Sequence, residues 1–148
     1  TPLILSMTSS RVAYVDENGV RWDTNDADFE GMLMKKSKWM GEWRQRYFML
    51  KGSKLFFTKN ATSPPHGMID LVNCISVKSA ENMAKKKYAL EILLKDDRFL
   101  LVAKTDCEKD DWIGQIGKAI VKYSSMYTNE DDDDDFTGND STSDINGK

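Results

Sequence analysis

The stretch that most constrains this chain is residues 31–50, GMLMKKSKWMGEWRQRYFML, where polarity alternates on either side of a basic, Trp-bearing loop. Read as two strands, it puts Leu33 and Lys35 on one face, because strand side chains repeat every two residues. Arg44, Arg46, Phe48 and Leu50 share a face by the same count. Each arm runs from an apolar, core-like end to a cationic end, and both cationic ends meet at the loop. An antiparallel hairpin of this kind gathers Lys35, Arg44 and Arg46 at the rim of a sheet. Three like charges so close repel one another unless an anion sits among them. The pattern predicts a phosphate-sized site at the mouth of a small β barrel.

Downstream, residues 54–58, 67–71 and 74–78 read as short strands, and residues 88–94 and 98–103 as a last hairpin. Residues 51–53 (KGS) form a turn, and Pro64-Pro65 confines residues 60–66 to a loop, since proline cannot sit in a sheet interior. Residues 79–85 read as a loop. Seven short strands with tight turns predict a sandwich or barrel. Thr105 and Glu108 then form a T-x-x-E capping box. Asp106, Glu108, Asp110 and Asp111 crowd the first turns, where the helix dipole favours anions, and Lys118 and Lys122 come late. Trp112, Ile113, Ile116, Ala119, Ile120 and Tyr123 recur at three- and four-residue steps as one apolar stripe. The expected fold is mainly β with one C-terminal helix (α+β): a seven-stranded, partly open barrel or sandwich capped by that amphipathic helix.

The hairpin pattern GxLxK, a short basic loop, then WRxRYFxL resembles the first hairpin of pleckstrin-homology (PH) domains. The resemblance covers the 94 positions from Glu30 to Tyr123 and includes the family's C-terminal helix with its Trp, here Trp112. It implies that the residues matching Lys35, Arg44 and Arg46 grip headgroup phosphates. Members tuned for 3-phosphorylated inositides usually carry a Tyr in the third strand and a basic residue before the fourth. Here those places hold Phe56 and Phe57, which lack a hydroxyl, and His66, which is mostly neutral at pH 7. A smaller, simpler phosphate headgroup fits this reduced donor set better.

Among PH proteins the chain is similar to two groups of small, single-PH members. One is the plant group, associated with 3-phosphoinositides. The other is the acylated group of apicomplexan parasites, towards which the Asn- and Asp-rich tail leans. That likeness implies phosphatidic acid sensing on secretory organelles (micronemes) in regulated exocytosis, a cytoplasmic protein peripheral on membranes, and N-terminal acylation of the full-length protein. A Met-Gly start, which such acylation uses, does not open this sequence.

Domain organisation follows composition. Residues 1–29 are an N-terminal segment, of which 1–10 read as disordered and partly tag-derived; 30–123 form the PH domain; 124–148 form an acidic disordered tail. Within residues 11–22, VAYV fits either a short strand or a helical turn, Asn18-Gly19 marks a turn, and Trp22 is expected to pack on the domain. The net charge of −3 hides an asymmetry. From Asn129 onward eight carboxylates face only Lys148, a net of −7, which leaves +4 on residues 1–128. The part expected to fold is basic, and the tail masks it.

Charge also sorts the remaining candidates. Lys36 and Lys38 join Lys35, Arg44 and Arg46 as headgroup-binding candidates, and Trp39 and Met40 at the loop tip are membrane-insertion candidates. Tryptophan is favoured at the headgroup level, and burying it contributes roughly 1.5–3 kcal/mol. Trp39 folded back onto the barrel is an equal reading. Lys85, Lys86 and Lys87 make a secondary basic patch or simply a solvated loop. Each Lys or Arg near an anionic leaflet is worth about 1 kcal/mol, enough together for reversible recruitment.

Other classes find no support. Gly-rich phosphate loops, G-x-S-x-G and H-E-x-x-H are absent, so no enzyme is expected. One His and the scattered Cys74 and Cys107 have no metal-ligand spacing, and neither metal nor cofactor is expected. Nucleic acid is not expected as a partner, because the basic residues cluster at one hairpin rather than along a helix or interleaved aromatic platform. The expected partner of a monomeric chain is an anionic phospholipid membrane, bearing phosphatidic acid or a phosphoinositide. The alternatives are a phosphoinositide-binding adaptor and a protein-interaction PH domain with incidental lipid binding.

Overall fold

The computed structural model describes residues 12–38 and 40–125. Alternation in the first half builds a long antiparallel hairpin, β3 (Phe29–Lys36) and β4 (Trp43–Lys51). Two short strands precede it, β1 (Tyr14–Val15) and β2 (Arg21–Trp22), paired with each other. The strands β5 (Lys54–Thr58), β6 (Gly67–Asp70), β7 (Cys74–Ser79), β8 (Ala89–Leu94) and β9 (Arg98–Val102) follow. A four-residue helical turn, α1 (Glu81–Ala84), separates β7 from β8, and α2 (Asp106–Tyr123) ends the fold.

The large sheet runs β6-β5-β4-β3-β9-β8-β7, so β6 and β7 are free edges and the seven strands curl without closing. Between β3 and β9 only Met34 with Val102 and Lys35 with Leu101 are paired, and the sheet splays on either side of them. This is the mainly-β, partly open, seven-stranded fold with a C-terminal helix that the alternation predicts.

One face of each strand of the large sheet feeds the core. Leu33, Phe48, Leu50, Leu55, Ile69, Leu90, Ile92 and Leu101 are buried against Trp112, Ile116, Ala119 and Ile120 of α2. The helix starts where Thr105 Oγ1 accepts from the Glu108 amide at 3.1 Å. The Glu108 carboxylate reaches back to the Lys104 amide, one residue before the cap itself. Phe29 meets Trp112 edge-on at 4.7 Å, locking the helix to the start of β3. The helix closes one end of the curled sheet and leaves the β3–β4 loop end open.

Three local features were beyond the sequence reading. Residues 71–73 form a single 3-10 turn rather than the end of a strand. Residues 81–84 are helical where a loop is expected; the Glu81 carboxylate holds them by accepting from the Tyr88 amide at 2.6 Å and from Lys109 Nζ at 3.5 Å. The β1–β2 hairpin settles the ambiguity of VAYV in favour of a strand. Asp16 closes its turn, accepting from the amides of Asn18 and Val20 and from Trp22 Nε1. The hairpin lies on the outer side of the sheet, where Tyr14 covers Phe56 at 5.6 Å between ring centres.

Candidate functional site

The site forms because β3 and β4 are in register with Lys35 opposite Arg44 and Leu33 opposite Arg46. Side chains on that face point into the curled sheet. Near α2 they are apolar and make the core; near the loop the same face carries Lys35, Arg44 and Arg46. These three, with Ser37 and Lys38 from the loop, Phe57 from β5 and His66 before β6, line a pocket of about 340 Å³.

Phe57 lines the pocket, and Phe99 flanks its lysines from β9. Lys35 Nζ lies 5.1 Å from the centre of the Phe57 ring and 5.4 Å from that of Phe99. Lys38 Nζ sits 4.2 Å from the same Phe99 ring, pairs with Asp97 and donates to the Arg98 carbonyl at 2.6 Å. Arg44 pairs with Glu42 at 3.1 Å, and Arg46 Nη1 donates to the Gln45 carbonyl at 2.8 Å. Among the described residues, Lys35 and Arg46 have no carboxylate partner. Phe57 meets the His66 ring edge-on at 5.2 Å, and the His66 amide donates to the Phe57 carbonyl.

The pocket's electrostatics follow. Burial, then the charges of Lys38 and Arg46, press Lys35 below its ordinary pKa; Asp97 opposes them. Burial, then Arg46, Lys59 and Lys35, press His66 below 6.5. Lys35 on β3 and His66 before β6 thus both feel burial first and the neighbouring cations second, and a cluster of cations at one pocket favours an anion.

Not every predicted residue joins the pocket. Lys36, one residue past Lys35, faces the other side of the sheet, as a two-residue period requires. Its Nζ lies 5.8 Å from the Trp43 ring centre, and Lys86 reaches the same ring at 5.7 Å. Lys36 therefore groups with the secondary patch of Lys85, Lys86 and Lys87, all three exposed, rather than with the pocket. Met40 stands at the loop tip, 66% exposed, with its sulfur 3.7 Å from Arg44 Nη2. Trp39 lies outside the described residues, as do residues 1–11 and most of the tail. Of the two third-strand phenylalanines only Phe57 faces the pocket; Phe56 points outward under Tyr14.

Sequence reasoning missed Trp43, Phe99 and Asp97. The first was legible from the alternation that puts it opposite Lys36. The other two come from β9 and the turn before it, about sixty residues away, and carry no local signal.

The PH domain family model matches residues 27–121. "Pleckstrin homology domain-containing protein 1" of Arabidopsis thaliana is 31% identical over 122 residues, spanning 78% of this chain and 83% of that one. Diacylglycerol kinase eta of Drosophila mojavensis is 33% identical over 93 residues, but those make up 5% of that protein, so its kinase activity is its own. The C-terminal PH domain of pleckstrin, solved in complex with D-myo-Ins(1,2,3,4,5)P5, is 28% identical with a TM-score of 0.53, covering 66% of this chain and 98% of that one. The chain belongs to the pleckstrin-homology domain family, a fold that serves as a non-catalytic lipid- or protein-interaction module.

Proposed function

We propose that this chain is a membrane-recruited module whose β3–β4 pocket binds the phosphomonoester of an anionic phospholipid headgroup, phosphatidic acid foremost. One observation carries the reading: Lys35 and Arg46 face the same pocket and, among the described residues, neither has a carboxylate ion-pair partner. Two free cations match the charge of about −1.5 to −2 that a phosphomonoester carries at neutral pH. Arg46 supplies a planar fork and Lys35 a point charge. Arg44 and Lys38 already hold carboxylates, and Phe57 offers no hydroxyl, so the donors suit one phosphate better than several. Met40 at the tip, with Trp39 beside it in sequence, gives the loop an apolar point to set beside the headgroup. Such a module acts at the cytoplasmic face of a membrane, and the likeness to the parasite group suggests the surface of a secretory organelle.

A phosphoinositide is the second reading. A pocket of about 340 Å³ falls at the lower end of small-ligand sites and has room for an inositol ring. The pleckstrin domain with its inositol pentakisphosphate favours it too. Co-sedimentation at physiological salt tests both, using vesicles with phosphatidic acid, phosphatidylserine at matched charge, or single phosphoinositides. Selective capture by phosphatidic acid is the expected result. Capture by one phosphoinositide alone would move the assignment to the second reading. Equal capture by every anionic vesicle would reduce the pocket to a charged patch, and no capture would favour a protein-interaction role.

A further inference from the structure

The pocket has a counterpart in the chain's own sequence. Residues 130–135, EDDDDD, are six consecutive carboxylates, while residues 1–128 carry a net +4. We propose that this acidic segment is an internal competitor for the Lys35–Arg46 pocket, docking there when no phosphate does and so raising the threshold for anionic ligands. The inference rests on the pocket as an anion site and holds whether the external anion is a lipid headgroup or a soluble phosphate.

Geometry puts the segment within reach. At the end of α2, Ser124 Oγ donates to the Cys74 carbonyl at 2.8 Å and Ser125 Oγ to the Val72 carbonyl at 3.3 Å. The chain therefore leaves the fold beside Val72, just beyond β6. The other end of β6 begins at Gly67, next to His66 in the pocket. Six residues separate His66 from Val72, so the two lie at most about 20 Å apart at 3.3–3.6 Å per residue. Six residues also separate Ser125 from Asp131. Asp131 spans the gap at full extension, and Asp132 to Asp135 reach it with slack.

Charge selects the pocket over the other basic surface. In the pocket, the cations press on one another: Lys38, Arg46 and Arg44 all push Lys35 towards its neutral form. A carboxylate arriving there relieves that repulsion. A tether this short gives an effective concentration on the order of millimolar, so a contact with a dissociation constant on the order of 0.1 mM masks the site about tenfold.

The test uses the full chain and one variant carrying Glu130→Gln and Asp131→Asn, Asp132→Asn, Asp133→Asn, Asp134→Asn and Asp135→Asn. The first readout is the titration of His66, the chain's only histidine, followed by NMR. The charges facing it are Arg46 from β4, Lys35 from β3 and Lys59 from the loop after β5. With the acidic segment docked its midpoint is higher, and neutralising the segment lowers it. The second readout is calorimetry with soluble D-myo-Ins(1,2,3,4,5)P5, a probe with no membrane to repel the tail. The variant should bind about tenfold more tightly, and adding Arg46→Gln to both chains should abolish the difference.

An unchanged His66 midpoint with unchanged affinity would overturn the inference. So would tighter binding to vesicles alone, which reports only repulsion between tail and membrane. A shifted midpoint in a protein that no vesicle captures would instead leave the inference standing and defeat the membrane assignment.

Discussion

Lys35 Nζ stands 5.1 Å from the centre of the Phe57 ring, so the strand position without a hydroxyl holds the lysine over an aromatic face instead. Gly67, paired with Phe57 across β5 and β6, makes room for that ring. A Cβ built on Gly67 would overlap three ring carbons of Phe57. Gly67→Ala should therefore push the ring into the pocket, costing about 1–3 kcal/mol of stability by overpacking and weakening phosphate binding. Chemical denaturation and calorimetry with an inositol phosphate check the two effects, and a fully stable, fully binding variant would refute this packing.

Lys35→Ala and Arg46→Ala should each cost about 1 kcal/mol of vesicle partitioning, roughly a fivefold loss, with thermal unfolding little changed. Lys36→Ala is the contrast. Lys36 faces Trp43 on the opposite side of the sheet, so its loss should leave affinity for a soluble inositol phosphate unaltered. Binding through Lys35 and Arg46 should weaken steeply as salt rises, because partly exposed charges are screened within about 8–10 Å near physiological ionic strength. Equal losses in all three variants with the soluble probe would contradict the two-faced arrangement.

His66 gives a pH signature. Burial and then Arg46, Lys59 and Lys35 hold its pKa below 6.5, so the free protein binds fewer protons there than the unfolded chain. Its contribution to stability is therefore present above about 6.5 and is lost as pH falls towards the folded value. A bound anion offsets the neighbouring cations and raises the midpoint, so binding takes up protons in that window. NMR titration of the imidazole with and without inositol phosphate should show an upward shift on binding. A ligand-insensitive midpoint would remove His66 from the site.

The strands and helix were legible because each carries a period: two in residues 29–36 and 43–51, and 3.6 in the stripe from Trp112 to Ile120. The pocket was legible for the same reason, since alternation alone puts Lys35, Arg44 and Arg46 on one face. Lys36 shows what happens when adjacency overrides that period. The partners Asp97 and Phe99 were not legible, because only the closure of β9 onto β3 brings them to the loop. The β1 and β2 strands are two residues long, too short for any period to show.

Tyr14 gives those short strands a purpose. Phe56 faces away from the core yet is 1% exposed, and the Tyr14 ring covers it at 5.6 Å. Lys54 Nζ, 5.2 Å from the Trp22 ring, ties down the other strand of the hairpin. Tyr14→Ala should destabilise the fold by about 1 kcal/mol, the scale of one aromatic pair, and leave phosphate binding unchanged because Phe57 points the other way. Unaltered stability would mean that the hairpin merely rests on the sheet.

Two thiols report on the core from opposite sides of the surface. Cys107 is exposed in the first turn of α2, whereas Cys74 is fully buried, its sulfur 3.3 Å from the Leu93 carbonyl and 3.5 Å from that of Ser76. Burial pushes the Cys74 thiol up from 9.0 to about 11. Only the thiolate attacks disulfide reagents, so at neutral pH Cys107 should react at once and Cys74 only when the protein opens. The same shift sets an alkaline limit. The unfolded chain releases this proton near 9.0 and the folded one near 11, so the stability tied to it is present below 9.0 and lost as pH rises between the two. Counting the thiols that react with an aromatic disulfide, native and in denaturant, should give one and then two. Two fast-reacting thiols in the native protein would mean that β7 and the end of α2 open together far more readily than the Ser124–Cys74 hydrogen bond implies.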